Sequence, residues 1–253
     1  LVPSLLRVSP DETVRLTGWP VAPGERADVR ITRFEIYSSG ARLWAVGADG
    51  NVEVPRSRMA FFQGTAEDDP ETRIFIAVEP DRGGFEGLSV SSHGTHEIRP
   101  FGKGRRHLVT VPEYFLPEAE NGEAQPLSSS CGQSAAEEPF EILQETSAGG
   151  TAGEPVKPLF DAVLSSLHTV TVAVDTDNEL MLQKFSNNTT NAANYVAALI
   201  AAMNVIYERD LKIRLLQGTT FLRVSTTADP YAQTGSGASS AQLNEFSNFW
   251  NLN

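Results

Sequence analysis

Cysteine and histidine are scarce in this chain, and their scarcity excludes two kinds of stabilised fold. The 253 residues include one Cys and four His. A single Cys cannot form a disulfide within its own chain, so a disulfide scaffold is excluded. A structural zinc site needs four Cys or His ligands close together, and this composition argues against one.

Basic residues are also few, with 20 Lys and Arg against 32 Asp and Glu, and the formal net charge is −12. Proteins that bind DNA or RNA hold the phosphate backbone with Lys and Arg, so we expect no nucleic-acid partner. No apolar run approaches the roughly 20 residues of a membrane helix, so we expect no membrane span. The first seven residues, LVPSLLR, lack the charged start and long apolar core of a signal peptide.

Residues 12–111 have the short, punctuated apolar runs of an antiparallel β domain. Residues 28–37 alternate strictly between apolar and polar, which predicts a strand with one buried face. Asp49-Gly50 lies between two apolar runs and predicts a hairpin, because both residues tolerate positive φ. The other short runs are at residues 41–46, 51–54, 59–63, 73–78, 85–91, 95–98 and 107–111. About eight strands at this spacing predict an antiparallel sandwich or barrel.

Residues 117–158 lose this pattern. They carry eight Glu against one Lys, with Gly, Ser, Ala and Pro between them. Such a segment cannot bury enough apolar surface to offset the entropy of ordering it. The sequence therefore predicts a mobile linker that a protease would cut.

After Pro158 the pattern is that of an α/β domain. Residues 168–174 are rich in β-branched side chains and predict a strand, and Asp177 is the expected N-cap of a helix at 178–185. Residues 190–209 predict a long helix. The side chains expected to form its buried stripe are Tyr195, Leu199, Ala202, Met203 and Ile206. Strands at 211–217 and 221–225 and a helix from Ser239 follow.

The order of elements in residues 168–250 resembles the start of the catalytic domain of reprolysin-like metallopeptidases, which belong to the metzincins. The run HTVTVAVDTDNEL at residues 168–180 resembles the first strand and the segment after it. The helix at residues 191–209, with MNVIYE near its end, resembles the first helix. DLKIRL at residues 210–215 resembles the second strand, and residues 239–250, around LNEF, resemble the next helix.

The first half of the chain resembles the propeptide of the same family. The run FFQGTAEDDPETRIFIAV at residues 61–78 resembles its strand ladder, and GGFEGL at 83–88 with HEIRP at 96–100 resembles the continuation. The resemblance covers about two thirds of the chain. It implies a multidomain α+β fold: an antiparallel β-rich propeptide domain followed by the opening β-α-β-α of a metzincin-like α/β domain.

The domain boundaries follow from these patterns. Residues 1–116 are expected to form the β-rich propeptide domain. Residues 117–158 are expected to be the acidic flexible linker with a processing site. Residues 159–253 are expected to be the N-terminal part of a catalytic domain that is truncated, because about 95 residues are few for a complete α/β domain.

The chemistry of this family depends on the motif H-E-x-x-H-x-x-G-x-x-H, in which three His hold zinc and the Glu is the general base. The four His here are His93, His96, His107 and His168, and no such motif occurs. The resemblance therefore implies zinc in the parent enzyme, with ligands outside this chain, and an inactive fragment. Gly94 lies between His93 and His96 and favours a solvated hairpin over a metal-binding pair.

Cys131 is the candidate metal ligand within this chain. It lies in the run SSCGQ of the acidic linker. Many metzincin propeptides hold a Cys-Gly whose thiolate occupies the fourth zinc position, so the resemblance implies a cysteine switch at Cys131. The match is the dipeptide alone, without the flanking Pro and basic residues of the family pattern. A free surface thiol is the alternative.

Asp175, Asp177 and Glu179 form an acidic cluster that could bind calcium. The calcium-binding Glu of related enzymes, near the start of the first strand, is absent, because residues 169–171 are Thr-Val-Thr. Capping of the next helix is therefore the expected role of Asp177.

These observations predict the N-terminal fragment of a secreted zinc metalloendopeptidase zymogen, whose propeptide packs on its own catalytic domain, inhibits it and assists its folding. The parent enzyme would hydrolyse protein or peptide substrates with zinc-activated water. The near absence of Cys argues against the disulfide-rich animal members and favours a secreted bacterial protein. The alternative is a non-catalytic adhesion or protease-inhibitor module, in which the β domain binds a partner.

Overall fold

A computed structural model describes residues 1–81, 83–101, 105–110, 166–232 and 240–252. The strands are β1 (Thr13–Ala22), β2 (Glu25–Phe34), β3 (Leu43–Gly47), β4 (Gly50–Val54), β5 (Ala60–Ala66), β6 (Arg73–Glu79), β7 (Gly84–Ser91), β8 (Gly94–Phe101), β9 (Arg105–Thr110), β10 (His168–Asp175) and β11 (Ile213–Arg223). The helices are α1 (Val2–Leu5), α2 (Asn178–Phe185), α3 (Thr189–Asp210) and α4 (Ser240–Leu252), with a 3₁₀ turn at Thr226–Ala228.

Seven strands form an antiparallel sheet, sheet A, in the order β1-β2-β5-β6-β7-β8-β9. The predicted alternation is found in β2, where Val29 and Ile31 are fully buried and Arg30 is exposed. The sheet curls, so that β1 approaches β7 and β9. Its inner face encloses an apolar core that includes Trp19, Val29, Ile31, Phe62, Ile74, Ile76, Val78 and Ile98. The predicted α+β class and the antiparallel β-rich character are confirmed.

Four strands form a second sheet, sheet B, in the order β10-β11-β3-β4. The predicted hairpin at Asp49-Gly50 is present, and Gly50 has a φ of 115°. Its two strands leave sheet A, because β3 pairs in parallel with β11. The prediction of two strands at 211–217 and 221–225 is wrong: β11 is continuous, and Gly218 lets it run close to β10, where a Cβ would lie 2.7 Å from Thr171 Cγ2.

Helix α3 packs against both sheets. The predicted buried stripe is correct for Ala202 and Met203, which pack partly buried against the core, and wrong for its other three members. Tyr195, Leu199 and Ile206 are 37%, 47% and 44% exposed. The buried side chains are Ala192, Ala193, Val196, Ala197, Ala198, Ile200, Ala201, Asn204 and Val205. This helix has apolar residues all round, so periodicity alone does not identify the inner face. The alanines face inward because small side chains let the helix approach the sheets closely.

The described residues of 1–117 and 166–229 form one compact unit, and those of 230–253 belong to a second. In the first unit, sheet B combines strands from both predicted domains. In the second, Tyr231 contacts Phe246 and Phe249 of α4, at ring-centroid distances of 6.0 and 5.9 Å. The linker predicted at 117–158 lies outside the described residues. No helix in the described ranges is long and apolar enough to cross a membrane.

Glu67 joins the outer surfaces of β1 and β2, and it makes stability depend on pH. Arg30 Nε lies 2.8 Å from Glu67 Oε1 and Arg15 Nη2 lies 2.9 Å from Glu67 Oε2. The hydrogen bond from Arg30 lowers the pKa of Glu67 below its ordinary value of 4.5. A carboxyl group whose pKa is lower in the folded state stabilises the fold at pH values above its unfolded-state pKa. This contribution is lost as the pH falls through the folded-state pKa.

Glu67→Gln is therefore expected to reduce the loss of stability on acidification below about pH 4.5. Chemical unfolding at a series of pH values between neutral and strongly acidic measures the effect. Glu53→Gln, at an exposed position in β4, is the control and should keep the acid dependence of the parent chain. Equal acid dependence in the Glu67→Gln variant and the parent would contradict this role.

Candidate functional site

The sequence-predicted metal residues do not form a site in the described part of the chain. Cys131 lies outside the described residues. His93 is exposed in the turn between β7 and β8, with Nε2 4.0 Å from Glu25 Oε2, and His168 is exposed at the start of β10. Among the described residues, no group of three or more His, Cys, Asp or Glu could hold a metal ion.

His96 corrects the expectation of a solvated hairpin. The hairpin is present, but the side chain of His96 is only 2% exposed. It lies opposite Ser89 in β7 and on the same face of β8 as Ile98, which belongs to the inner core of sheet A. Alternation along β8 therefore turns His96 inward, and His93 is in solvent because it lies in the turn before the strand.

The acidic residues after β10 have separate structural roles. Asp177 Oδ1 accepts a hydrogen bond from the backbone N–H of Leu180 at 2.7 Å, so the predicted N-cap of α2 is confirmed. The side chain of Asp175 is fully buried and forms an ion pair with Arg223. Glu179 lies in the first turn of α2, where a negative charge stabilises the helix. The three carboxylates do not make a calcium cluster among the described residues.

A buried polar network joins the carboxyl ends of β10 and β11. Arg223 binds both carboxylate oxygens of Asp175, and its Nη1 donates to Ala228 O at 2.9 Å. The Arg223 N–H donates to Thr176 Oγ1 at 3.0 Å, and Asn178 Nδ2 donates to Arg223 O at 2.9 Å. The partners are far apart in sequence, so no local motif could have revealed this network.

Removing the N-cap of α2 is expected to lower the stability of the fold. Asp177→Ala is expected to lower the free energy of unfolding by about 1 kcal/mol, because one N–H of the first turn loses its acceptor. Asp177→Asn keeps an acceptor oxygen and should cost much less. Urea unfolding of both variants tests the role, and equal losses in the two would contradict it.

The larger candidate site is the surface where α3 meets sheet A. We call residues 1–110 the N-terminal segment and residues 166–229 the C-terminal segment. The outer face of sheet A presents an aromatic row in which the Phe34 and Phe61 ring centroids are 6.2 Å apart, and those of Phe61 and Phe75 are 6.4 Å apart. These side chains share one buried cluster with Val196, Ala197, Ile200, Ala201 and Val205 of α3.

Hydrogen bonds at two ends of α3 add to this apolar contact. Ser57 Oγ donates to Asn194 Oδ1 at 2.7 Å, and Gln63 Nε2 donates to Glu208 Oε2 at 2.9 Å. Near the first of these, Tyr37 accepts a hydrogen bond from the Ser57 N–H at 2.9 Å. Burial raises the pKa of the Tyr37 hydroxyl, so this group stays protonated at neutral pH. The polar pairs fix the helix along the sheet.

The backbone of β11 is bound to the N-terminal segment as well. Residues 220–223 pair in parallel with residues 43–46 of β3. Earlier in β11, the N–H of Gln217 donates to Ile36 O at 2.7 Å, and its carbonyl accepts from Ser38 N–H at 2.9 Å. The side chain of Gln217 is fully buried and donates to Thr220 Oγ1 at 2.8 Å. The N-terminal segment thus binds both a helix and a strand of the C-terminal segment.

Sequence patterns missed this surface, although one signal for it exists. Phe61 and Phe62 are adjacent in β5 and both are buried, at 2% and 0% exposure. Neighbouring residues of a strand point to opposite faces, so two buried aromatics in succession indicate a strand covered on both sides. No protein-family model matches this chain, and a search of curated proteins finds no significant match.

Proposed function

We propose that this chain is the N-terminal portion of a secreted, reprolysin-like zinc metalloendopeptidase precursor. Its N-terminal segment acts as the propeptide, and its C-terminal segment is the start of the catalytic domain. The proposal rests on the sequence resemblance and on one observation: the N-terminal segment binds the opening strand-helix-strand unit of the C-terminal segment through β3 and the outer face of sheet A.

This contact suits a propeptide that assists folding. A parallel strand-helix-strand unit must cover its helix and complete its sheet before it is stable. Here β3 completes the sheet beside β11, and the aromatic row covers the inner face of α3. The N-terminal segment can therefore stabilise the start of the catalytic domain while the rest of that domain forms.

Zinc would bind to residues outside this chain. No H-E-x-x-H motif occurs in this chain, so the fragment itself is expected to be inactive. In the parent enzyme, bound zinc would lower the pKa of its water ligand and supply the attacking hydroxide. The residues of this chain would contribute by holding the catalytic domain in its folded, inactive form until the propeptide is removed.

The direct experiment is to translate the natural gene past the codon for Asn253. The proposal predicts an in-frame H-E-x-x-H-x-x-G-x-x-H within about 150 residues. A stop codon, or a continuation without this motif, would contradict the protease. The alternative adhesion or inhibitor module would then be tested by asking which protein the N-terminal segment binds.

Cys131 provides a test of latency in the same precursor. A thiolate on the zinc excludes the catalytic water, so Cys131→Ser is expected to give peptidase activity before any propeptide cleavage. Cleavage of a fluorogenic peptide by the purified precursor measures this activity. Ser130→Ala is the control and should stay latent. Equal latency in the Cys131→Ser precursor and the parent would show that Cys131 is a free thiol.

A further inference from the structure

A cavity of about 330 Å³ lies near the end of α3, beside sheet A. It is lined by residues of β2, β5 and β6, by the last turn of α3 and by the start of β11. Its charged side chains are Asp11, Arg73, Glu208, Arg209, Lys212 and Arg214. Four of these six are cations, in a chain whose net charge is −12.

Two of the four cations already have partners. Arg214 Nε and Nη2 donate to the two carboxylate oxygens of Glu208, at 2.6 and 3.2 Å. Arg209 Nε and Nη2 donate to those of Asp210, at 2.5 and 2.9 Å. These hydrogen bonds raise the pKa of both guanidinium groups. Arg209 and Arg214 are therefore neutralised by the protein itself.

Arg73 and Lys212 differ from this pair, although Lys212 also acts on the Asp210 carboxylate and helps to lower its pKa. Arg73 is half-buried at the start of β6, and its Nε is enclosed without a hydrogen-bond acceptor. That nitrogen is sealed from solvent, so an anion in the cavity would meet the outer nitrogens of the guanidinium, which are strong donors to oxyanions. Lys212 is exposed at the cavity wall and has a φ of 54°. Lys212 follows the carbonyl end of α3, where the helix dipole favours a cation. Arg73 belongs to sheet A, so the helix dipole does not explain its position at the cavity.

We propose that this cavity binds an oxyanion, either a phosphate or a carboxylate group, between the guanidinium of Arg73 and the ammonium of Lys212. The planar guanidinium fork matches two oxygens of such a group, and Lys adds a point charge. Asp11 also lines the cavity and opposes the anion. This binding site is independent of the proposed peptidase precursor.

The test is titration of the full 253-residue chain with inorganic phosphate and, separately, with acetate, both at constant ionic strength set by chloride. Calorimetry gives the affinity, and a shift of the Nε–Hε NMR signal of Arg73 reports a change around its guanidinium. Saturation by phosphate alone, or by both anions, supports the site and identifies the ligand class. The absence of saturation by either anion would overturn it.

Variants separate this site from general charge effects. Arg73→Gln is expected to weaken binding about tenfold, because a charged hydrogen-bonding partner is lost. Lys212→Gln, at an exposed residue that should not affect folding, is expected to weaken binding severalfold. Asp11→Asn removes the opposing charge and is expected to strengthen binding. Arg58→Gln is the control, because Arg58 lies in a surface ion pair outside the cavity. If Arg58→Gln weakens binding as much as Arg73→Gln and Lys212→Gln do, the site is contradicted.

Discussion

Replacing Arg223 with Gln is expected to lower the free energy of unfolding by about 3–5 kcal/mol. Arg223 Nε lies 2.8 Å from Asp175 Oδ1, and Nη2 lies 2.6 Å from Oδ2. The two side chains are only 7% and 0% exposed. The substitution therefore leaves a carboxylate buried without its counter-charge. Urea unfolding followed by circular dichroism measures the loss.

Arg58→Gln is the matched control for this prediction. Arg58 pairs with Asp81 at 3.2 Å, and their side chains are 74% and 57% exposed. Water screens such a pair, so the same substitution there should change stability by less than about 1 kcal/mol. Equal losses in the two variants would show that burial of the Arg223 pair has no special importance.

Phe61→Ala is expected to cost about 3–5 kcal/mol and to weaken the hold of sheet A on α3. The Phe61 side chain is 2% exposed and lies in the cluster that contains Val196, Ile200 and Val205. Its removal leaves a cavity against the helix, because the backbone of β5 is fixed by pairing with β2 and β6. Hydrogen exchange should therefore quicken most in α3 and β11.

Phe62→Ala is the natural comparison, because Phe62 is the next residue of the same strand and lies on its other face. Phe62 is fully buried in the inner core of sheet A. Its loss should cost a similar free energy but quicken exchange in sheet A first. If Phe61→Ala leaves α3 protected while sheet A loses protection, the aromatic row does not hold the helix.

The sequence predicts those elements that are determined by residues close together in the chain. Asp177 has its acceptor oxygen three residues before the N–H that it binds, so the start of α2 could be predicted. Gly50 takes the positive φ that the turn requires, so the β3–β4 hairpin could be predicted as well. Neither signal contains information about which sheet the hairpin joins.

Strand β1 is an element that the sequence patterns do not predict. Gly18 and Pro20 interrupt its apolar residues, and they indicate a turn by composition. In the structure β1 is a ten-residue edge strand of sheet A. Gly18 lies in one of its two irregularities with a φ of 62°, and Pro20 pairs with Arg26 of β2. Pairing with β2 thus prevails over the turn preference of two residues.

The candidate site depends on contacts that are distant in sequence. Asp175 and Arg223 are 48 residues apart, and Ser57 and Asn194 are 137 residues apart. Sheet B joins β3 to β11 across a similar separation, which no window of the sequence reveals. Tyr195 and Leu199 are exposed, although the sequence predicts them as buried. Both faces of α3 are apolar, and contact with sheet A determines which face is covered.

We propose that the N-terminal segment holds the C-terminal segment folded, as a propeptide would. The direct measurement is to insert a specific protease site between residues 117 and 158, cut the purified chain, and follow both fragments by size-exclusion chromatography and hydrogen exchange. We expect the fragments to elute together with α3 and β11 protected, and we expect mild urea to separate them and to remove this protection. Elution of the fragments apart, with α3 still protected in the C-terminal one, would contradict the claim.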